Sequence, residues 1–138
     1  LETTLLRKLG IKEGFRVALI NASKDFSAEL GPLPDGTNIV AASEKSLDFI
    51  LIFAKSRAEL SGKLVRLRAN ISQNGMIWVA WPKKSSGLAT DLSFAVVQEA
   101  GLAAGVVDTK ICAINEVWSG LRFVIRLKDR VTYELGSF

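Results

Sequence analysis

The residue types that most suggest ligand chemistry lie in Trp78-Val79-Ala80-Trp81-Pro82-Lys83-Lys84-Ser85-Ser86-Gly87. An apolar run stops at a proline and gives way to two lysines and a loop of small residues. Two ammonium groups at a strand end can hold an anion. The Thr90-Asp91 pair that follows is placed to open a helix whose free amides would add to the attraction. Trp118-Ser119-Gly120 offers a flat ring for stacking and a hydroxyl, and Asn21 and Ser23 offer small polar groups after an earlier apolar run. The candidate ligand-binding residues are therefore Asn21, Ser23, Lys83, Lys84, Thr90, Asp91, Trp118 and Ser119.

Most of these also have a plainer reading. Thr90 or Asp91 can serve as a helix cap, and Lys83 and Lys84 as solvated charges. Trp78 and Trp81 fall on opposite faces of one strand, which suits core packing. Trp118-Ser119-Gly120 can shape a hairpin turn, and Pro82 can end a strand.

Catalytic chemistry has little to work with. The chain contains no histidine, which removes the usual general base, the commonest zinc ligand and every Ser-His or Cys-His pair. Its one cysteine, Cys112, sits in the apolar run Ile111-Cys112-Ala113-Ile114 and reads as a small buried hydrophobe. A lone cysteine leaves no internal disulfide and no multi-cysteine metal site. The Gly-x-x-x-x-Gly-Lys-Ser/Thr phosphate loop is absent, and no pair of carboxylates is marked as an acid/base couple. The expectation is no catalytic residue, no metal and no cofactor.

With 138 residues, 49% of them hydrophobic and 23% charged, the chain suits one domain with a real core. No apolar run approaches the roughly 18 residues of a membrane span. The opening Leu1-Glu2-Thr3-Thr4 lacks the basic and apolar segments of a secretory leader, so a cytoplasmic location is expected. The net charge of +4 is scattered over Lys63, Arg66 and Arg68, then Lys83 and Lys84, then Arg122, Arg126 and Lys128, which argues against a nucleic-acid surface.

The elements that must position the candidates follow from periodicity and punctuation. Helices are predicted over Thr3–Leu9, around Asp25–Leu30, from the Ser56-Arg57-Ala58-Glu59 capping box through Leu60, Leu64, Leu67 and Ile71, and from about Thr90 to Ala104. Strands are predicted at Phe15–Asn21, Thr37–Ala42, Leu47–Ala54, Met76–Trp81, Val107–Asn115 and Leu121–Lys128, with a turn at Gln73-Asn74-Gly75. The alternation implies an α/β three-layer sandwich around a mainly parallel sheet. Only Glu116–Gly120 separates the last two strands, so they must form an antiparallel hairpin. The tail from Asp129 to Phe138 has no assignment.

This element order, the entry Leu9-Gly10-Ile11-Lys12-Glu13-Gly14-Phe15-Arg16-Val17, Asp48 before Phe49–Phe53 and Gly75 before Ile77–Trp81 resemble the class I methyltransferase scaffold. The resemblance implies a Rossmann-like, six-stranded sheet in the order 2-1-3-4-6-5. Methyltransferases of this kind bind S-adenosylmethionine with a glycine-rich turn after the first strand and an acidic residue at the end of the second. This chain has Ile20-Asn21-Ala22-Ser23-Lys24-Asp25-Phe26 at the first place, and Ile39-Val40-Ala41-Ala42 followed late by Glu44 at the second. Both devices are missing. The blocks Trp78–Lys84, Thr90-Asp91-Leu92 and Trp118–Val124 closely resemble a family of short bacterial proteins of unknown function, over about Leu9 to Arg126. That resemblance strengthens the fold and brings no activity with it.

Three functional readings follow. The first is a non-enzymatic binding or regulatory module for a small anionic ligand at the carboxyl edge of the sheet. The second is a homodimeric interaction protein that uses the exposed face of the C-terminal hairpin. The third is a divergent methyltransferase-like enzyme.

Overall fold

The computed structural model describes residues 4–130. Thr3 at the start of the first predicted helix, and residues 131–138 of the tail, lie outside them. The elements are α1 (Leu5–Leu9), β1 (Arg16–Ile20), α2 (Phe26–Leu30), β2 (Asn38–Ile39), β3 (Leu47–Phe53), α3 (Arg57–Asn70), β4 (Ile71–Pro82), α4 (Phe94–Ala104), β5 (Val106–Ala113) and β6 (Trp118–Ile125). Short 3-10 turns cover Lys84–Ser86 and Leu127–Asp129.

One six-stranded sheet runs β2-β1-β3-β4-β6-β5. The strands from β2 to β4 are parallel neighbours, while β6 lies antiparallel to both β4 and β5. The strand order, the three layers and the reversed hairpin all agree with the sequence reading. α3 and α4 cover one face, where Leu60, Leu64, Leu67 and Val97 meet Ile50, Ile52, Ile77, Val79 and Trp81. α1 and α2 cover the other, where Leu9, Phe26 and Leu30 meet Val17, Phe49, Leu51, Phe53 and Trp78. Both tryptophans of β4 are buried, one in each layer.

The boundaries move where long-range partners outvote local signals. The second strand shrinks from Thr37–Ala42 to Asn38–Ile39, which pair with Arg16 and Val17 at a sheet edge that leaves both exposed. Gln73-Asn74-Gly75 does not turn the chain but lies inside β4, where the pairing jumps from Leu47↔Ile71 to Phe49↔Met76. Glycine is required at that irregularity, because a Cβ on Gly75 would stand 2.7 Å from the Leu47 carbonyl oxygen. The final strand begins at Trp118 and ends at Ile125, so Ser119 and Gly120 are ladder residues facing Trp81 and Ala80 instead of turn residues.

Helix α4 also starts later than predicted. Ser93 is its N-cap, its hydroxyl accepting from the Val96 amide at 3.3 Å. Thr90 and Asp91 are therefore not its caps. At α3 the capping box forms nearly as read: the Ser56 hydroxyl accepts from the Glu59 amide at 3.1 Å, and the Glu59 carboxylate reaches one residue further back, to the Lys55 amide at 2.8 Å.

Candidate functional site

Because β6 alone runs the other way, the carboxyl ends of β1, β3, β4 and β5 share one edge of the sheet with the start of β6. A cleft of about 490 Å³ opens there, within the size range of small-molecule sites. Its apolar part is aromatic. Phe53 ends β3 and stands edge-to-face with Phe26 of α2 at 5.0 Å and with Trp118 of β6 at 5.1 Å, so three elements are pinned around one ring.

Polar groups surround these rings. Asn21 follows β1 with φ +60°, a left-handed conformation that asparagine tolerates better than most residues, and its amide donates to the Phe53 carbonyl at 3.2 Å. Ser23 lines the same wall. Lys55 and Lys63 contribute ammonium groups, and Glu29 and Glu59 contribute carboxylates. Glu29 accepts from the Asn115 side-chain amide at 2.9 Å, while Asn115 Oδ1 accepts from the Val117 and Trp118 amides, both at 2.9 Å. One asparagine thus shapes the β5–β6 turn and holds it to α2. Among the described residues neither lysine forms an ion pair; the pair present there is Arg16–Glu44 at 3.7 Å.

Of the residues singled out by sequence, Asn21, Ser23 and Trp118 line this cleft, and Lys83, Lys84, Thr90, Asp91 and Ser119 do not. Lys83 instead ties the edge through its backbone, its amide donating to the Val117 carbonyl at 2.8 Å. Lys84 is exposed in the 3-10 turn, and Ser119 is held in the β6 ladder between Trp81 and Ala113. The Thr90 hydroxyl donates to the Lys55 carbonyl at 2.6 Å and accepts from the Leu92 amide at 3.0 Å. Asp91 accepts from the Arg57 amide at 2.8 Å, placing a carboxylate at the N-terminus of α3. These two residues brace the wall that carries Lys55. Asp91→Ala is expected to cost about 1 kcal/mol, the usual worth of a helix-end carboxylate, read as a fall in the urea midpoint at unchanged slope.

Phe26, Phe53, Lys55, Glu59, Lys63, Glu29 and Asn115 complete the cleft and were not candidates. Lys55 had a readable signal, since it immediately follows an apolar strand. Lys63 had none: it lies well along α3, and only the packing of that helix brings it to the edge.

Burial pushes the Cys112 thiol up, outweighing the opposing pull of Lys110, Lys8 and Arg122, so the reactive thiolate is suppressed. Among the described residues no cluster of three or more His, Cys, Asp or Glu is placed to hold a metal ion, and no helix is long and apolar enough to cross a membrane.

Among solved structures, the chain is similar to an S-adenosylmethionine-dependent methyltransferase from Aquifex aeolicus, with a TM-score of 0.65, 15% identity and 88% of each chain covered. It is also similar to Aeropyrum pernix fibrillarin with natively bound S-adenosylmethionine, with a TM-score of 0.56 at 11% identity over 87% of this chain and 73% of that one. Precorrin-6y C5,15-methyltransferase from Geobacter metallireducens is a third, with a TM-score of 0.59 at 9% identity over 88% and 86%. At such identities the likeness establishes a methyltransferase-like Rossmann scaffold and nothing of the chemistry. No curated protein sequence matches the chain. Residues 8–127, nearly the whole chain, match the family described as Protein of unknown function (DUF3052), and the protein belongs to that family.

Proposed function

We propose that the protein is a non-enzymatic binding or regulatory module whose carboxyl-edge cleft takes a small anionic ligand bearing a flat ring. The observation that carries this reading is the Phe26–Phe53–Trp118 aromatic cluster with two lysines beside it that lack carboxylate partners among the described residues. Lys55 and Lys63 are formally balanced by Glu29 and Glu59, so the cleft favours a small anion over a dense polyanion. Both glutamates are already engaged by amide donors, whereas the ammonium groups are available to an incoming oxyanion.

The scaffold's usual cofactor does not fit these residues in the usual way. The turn after β1 has no glycine, and the Asn21 side chain spans from that turn to the Phe53 carbonyl. The acid nearest the end of β2, Glu44, is held by Arg16. A homodimer through the hairpin finds some support in β5, an edge strand with Ile111 55% exposed. Against it, the exposed Lys110 and a register irregularity between Asp108 and Lys110 discourage strand addition there. Light scattering that returns only monomer at high concentration would exclude it.

The decisive experiment titrates nucleoside monophosphates and aromatic monocarboxylates against the full chain, following tryptophan fluorescence. A saturable change is expected, weakened roughly 10- to 100-fold by Trp118→Ala through lost stacking and weakened again by Lys63→Glu. Failure of every probe, or binding indifferent to both substitutions, would refute the reading. Calorimetric binding of S-adenosylmethionine would favour the enzyme instead.

A further inference from the structure

A second concavity meets the proposed ligand cleft at Lys63, which borders both, and otherwise has its own lining. It measures about 500 Å³ and runs along α3 on the side facing β1 and the β2–β3 connection. No helix intervenes between β2 and β3, so α3 has no helical neighbour there and part of the apolar layer remains open. The floor is apolar, formed by Ile20, Ala42, Leu67 and Ala69. Its charged residues are all cations: Lys45, Lys63 and Arg66, with no carboxylate among the lining side chains. The carboxyl-edge cleft has a balanced set of charges, and this groove does not.

One of those cations is held in place. Asn70, only 8% exposed, donates to the Ala42 carbonyl at 2.9 Å and accepts from the Lys45 ammonium at 2.6 Å. Its amide thereby fixes the β2–β3 connection to the end of α3 and anchors Lys45 at the wall, with two N–H groups to spare. Lys63 and Arg66 make no side-chain hydrogen bond or ion pair among the described residues. Glu44, the acid beside Lys45 in sequence, is turned to Arg16 at 3.7 Å.

We infer that this groove binds a free amphipathic monoanion, an acyl or polycyclic body lying on Ile20, Ala42 and Leu67 with its carboxylate or sulfonate met by Lys45 and Arg66. An apolar trough favours a hydrocarbon body because burying it removes apolar surface from water on both partners. Cations without competing carboxylates select the negative head, and a groove of about 500 Å³ suits a single small molecule.

The test uses the full chain with anilinonaphthalene sulfonate as the fluorescent probe and dodecanoate as competitor. Equimolar, saturable binding is expected, with displacement by dodecanoate and much weaker displacement by dodecyltrimethylammonium, which has the same tail and the opposite charge. Lys45→Glu with Arg66→Glu should weaken binding roughly tenfold or more. Ala69→Trp, at an exposed position, should block the trough without disturbing the core. Trp118→Ala should leave the probe bound, which separates this groove from the carboxyl-edge cleft. Equal displacement by the cationic detergent, indifference to the groove substitutions, or loss with Trp118→Ala would overturn the inference. So would absence of probe binding, including the case in which light scattering shows a dimer that Ala69→Trp dissociates, since a second copy would then be the occupant.

Discussion

Trp78→Ala is expected to lower stability by about 3–5 kcal/mol, the range for truncating a large aromatic in a packed core. Trp78 is fully buried at the middle of β4, paired with Leu51 on one side and Arg122 on the other, and its side chain fills the layer between the sheet and α1 and α2. Its indole N–H also donates to the Leu9 carbonyl at 2.8 Å, where α1 ends. The substitution therefore opens a cavity and removes a donor from a buried carbonyl in the same step. Trp78→Phe separates the two effects: it keeps much of the volume, loses the hydrogen bond, and should cost less than the alanine variant. Urea unfolding followed by circular dichroism gives both numbers. A loss below about 1 kcal/mol for Trp78→Ala would mean that α1 is not held by this contact.

Gly101→Ala is the second large effect, and its sign is the informative part. In an exposed helix the change would gain about 1 kcal/mol, because alanine is the better helix former. Gly101 is buried in α4 against β6, however, and a Cβ there would overlap the Phe123 ring. Phe123 is fully buried and held in register between Ile77 and Asp108, so it has nowhere to retreat without opening the sheet. Overpacking of this kind typically costs 1–3 kcal/mol, about enough to exceed the propensity gain, and a net fall in the thermal midpoint is expected. Pairing it with Phe123→Leu should recover part of the loss. A more stable single variant would show that α4 can slide on the sheet.

The central sheet was legible because β3 and β4 are apolar on both faces, a pattern that only strands covered on two sides require. The short spacing before β6 made the hairpin legible too. The start of α4 was not. Thr90-Asp91 has the composition of a cap, but its side chains are committed to Lys55 and Arg57, more than thirty positions earlier, and no local pattern reports such a partner. Ser119-Gly120 misled in the same way: glycine suggested a turn, while the real turn is shaped by the Asn115 side chain and frees Gly120 to lie in the ladder beneath Trp78. The cleft was half legible. Asn21 after β1 and Trp118 at the start of β6 follow from topology, whereas Phe26, Glu29 and Lys63 reach the edge only through the placement of α2 and α3.

The order β4-β6-β5 has a consequence for the chain as it is made. β5 leaves the ribosome before β6 but has no seat on the sheet until β6 has slotted in beside β4. Until then β4 is a bare edge, and Ile77-Trp78-Val79-Ala80-Trp81, a wholly apolar strand segment, presents unpaired backbone to its surroundings. A nascent chain stopped short of Trp118 leaves that edge uncovered, so β6, by pairing with β4, also removes a template on which such chains could pair.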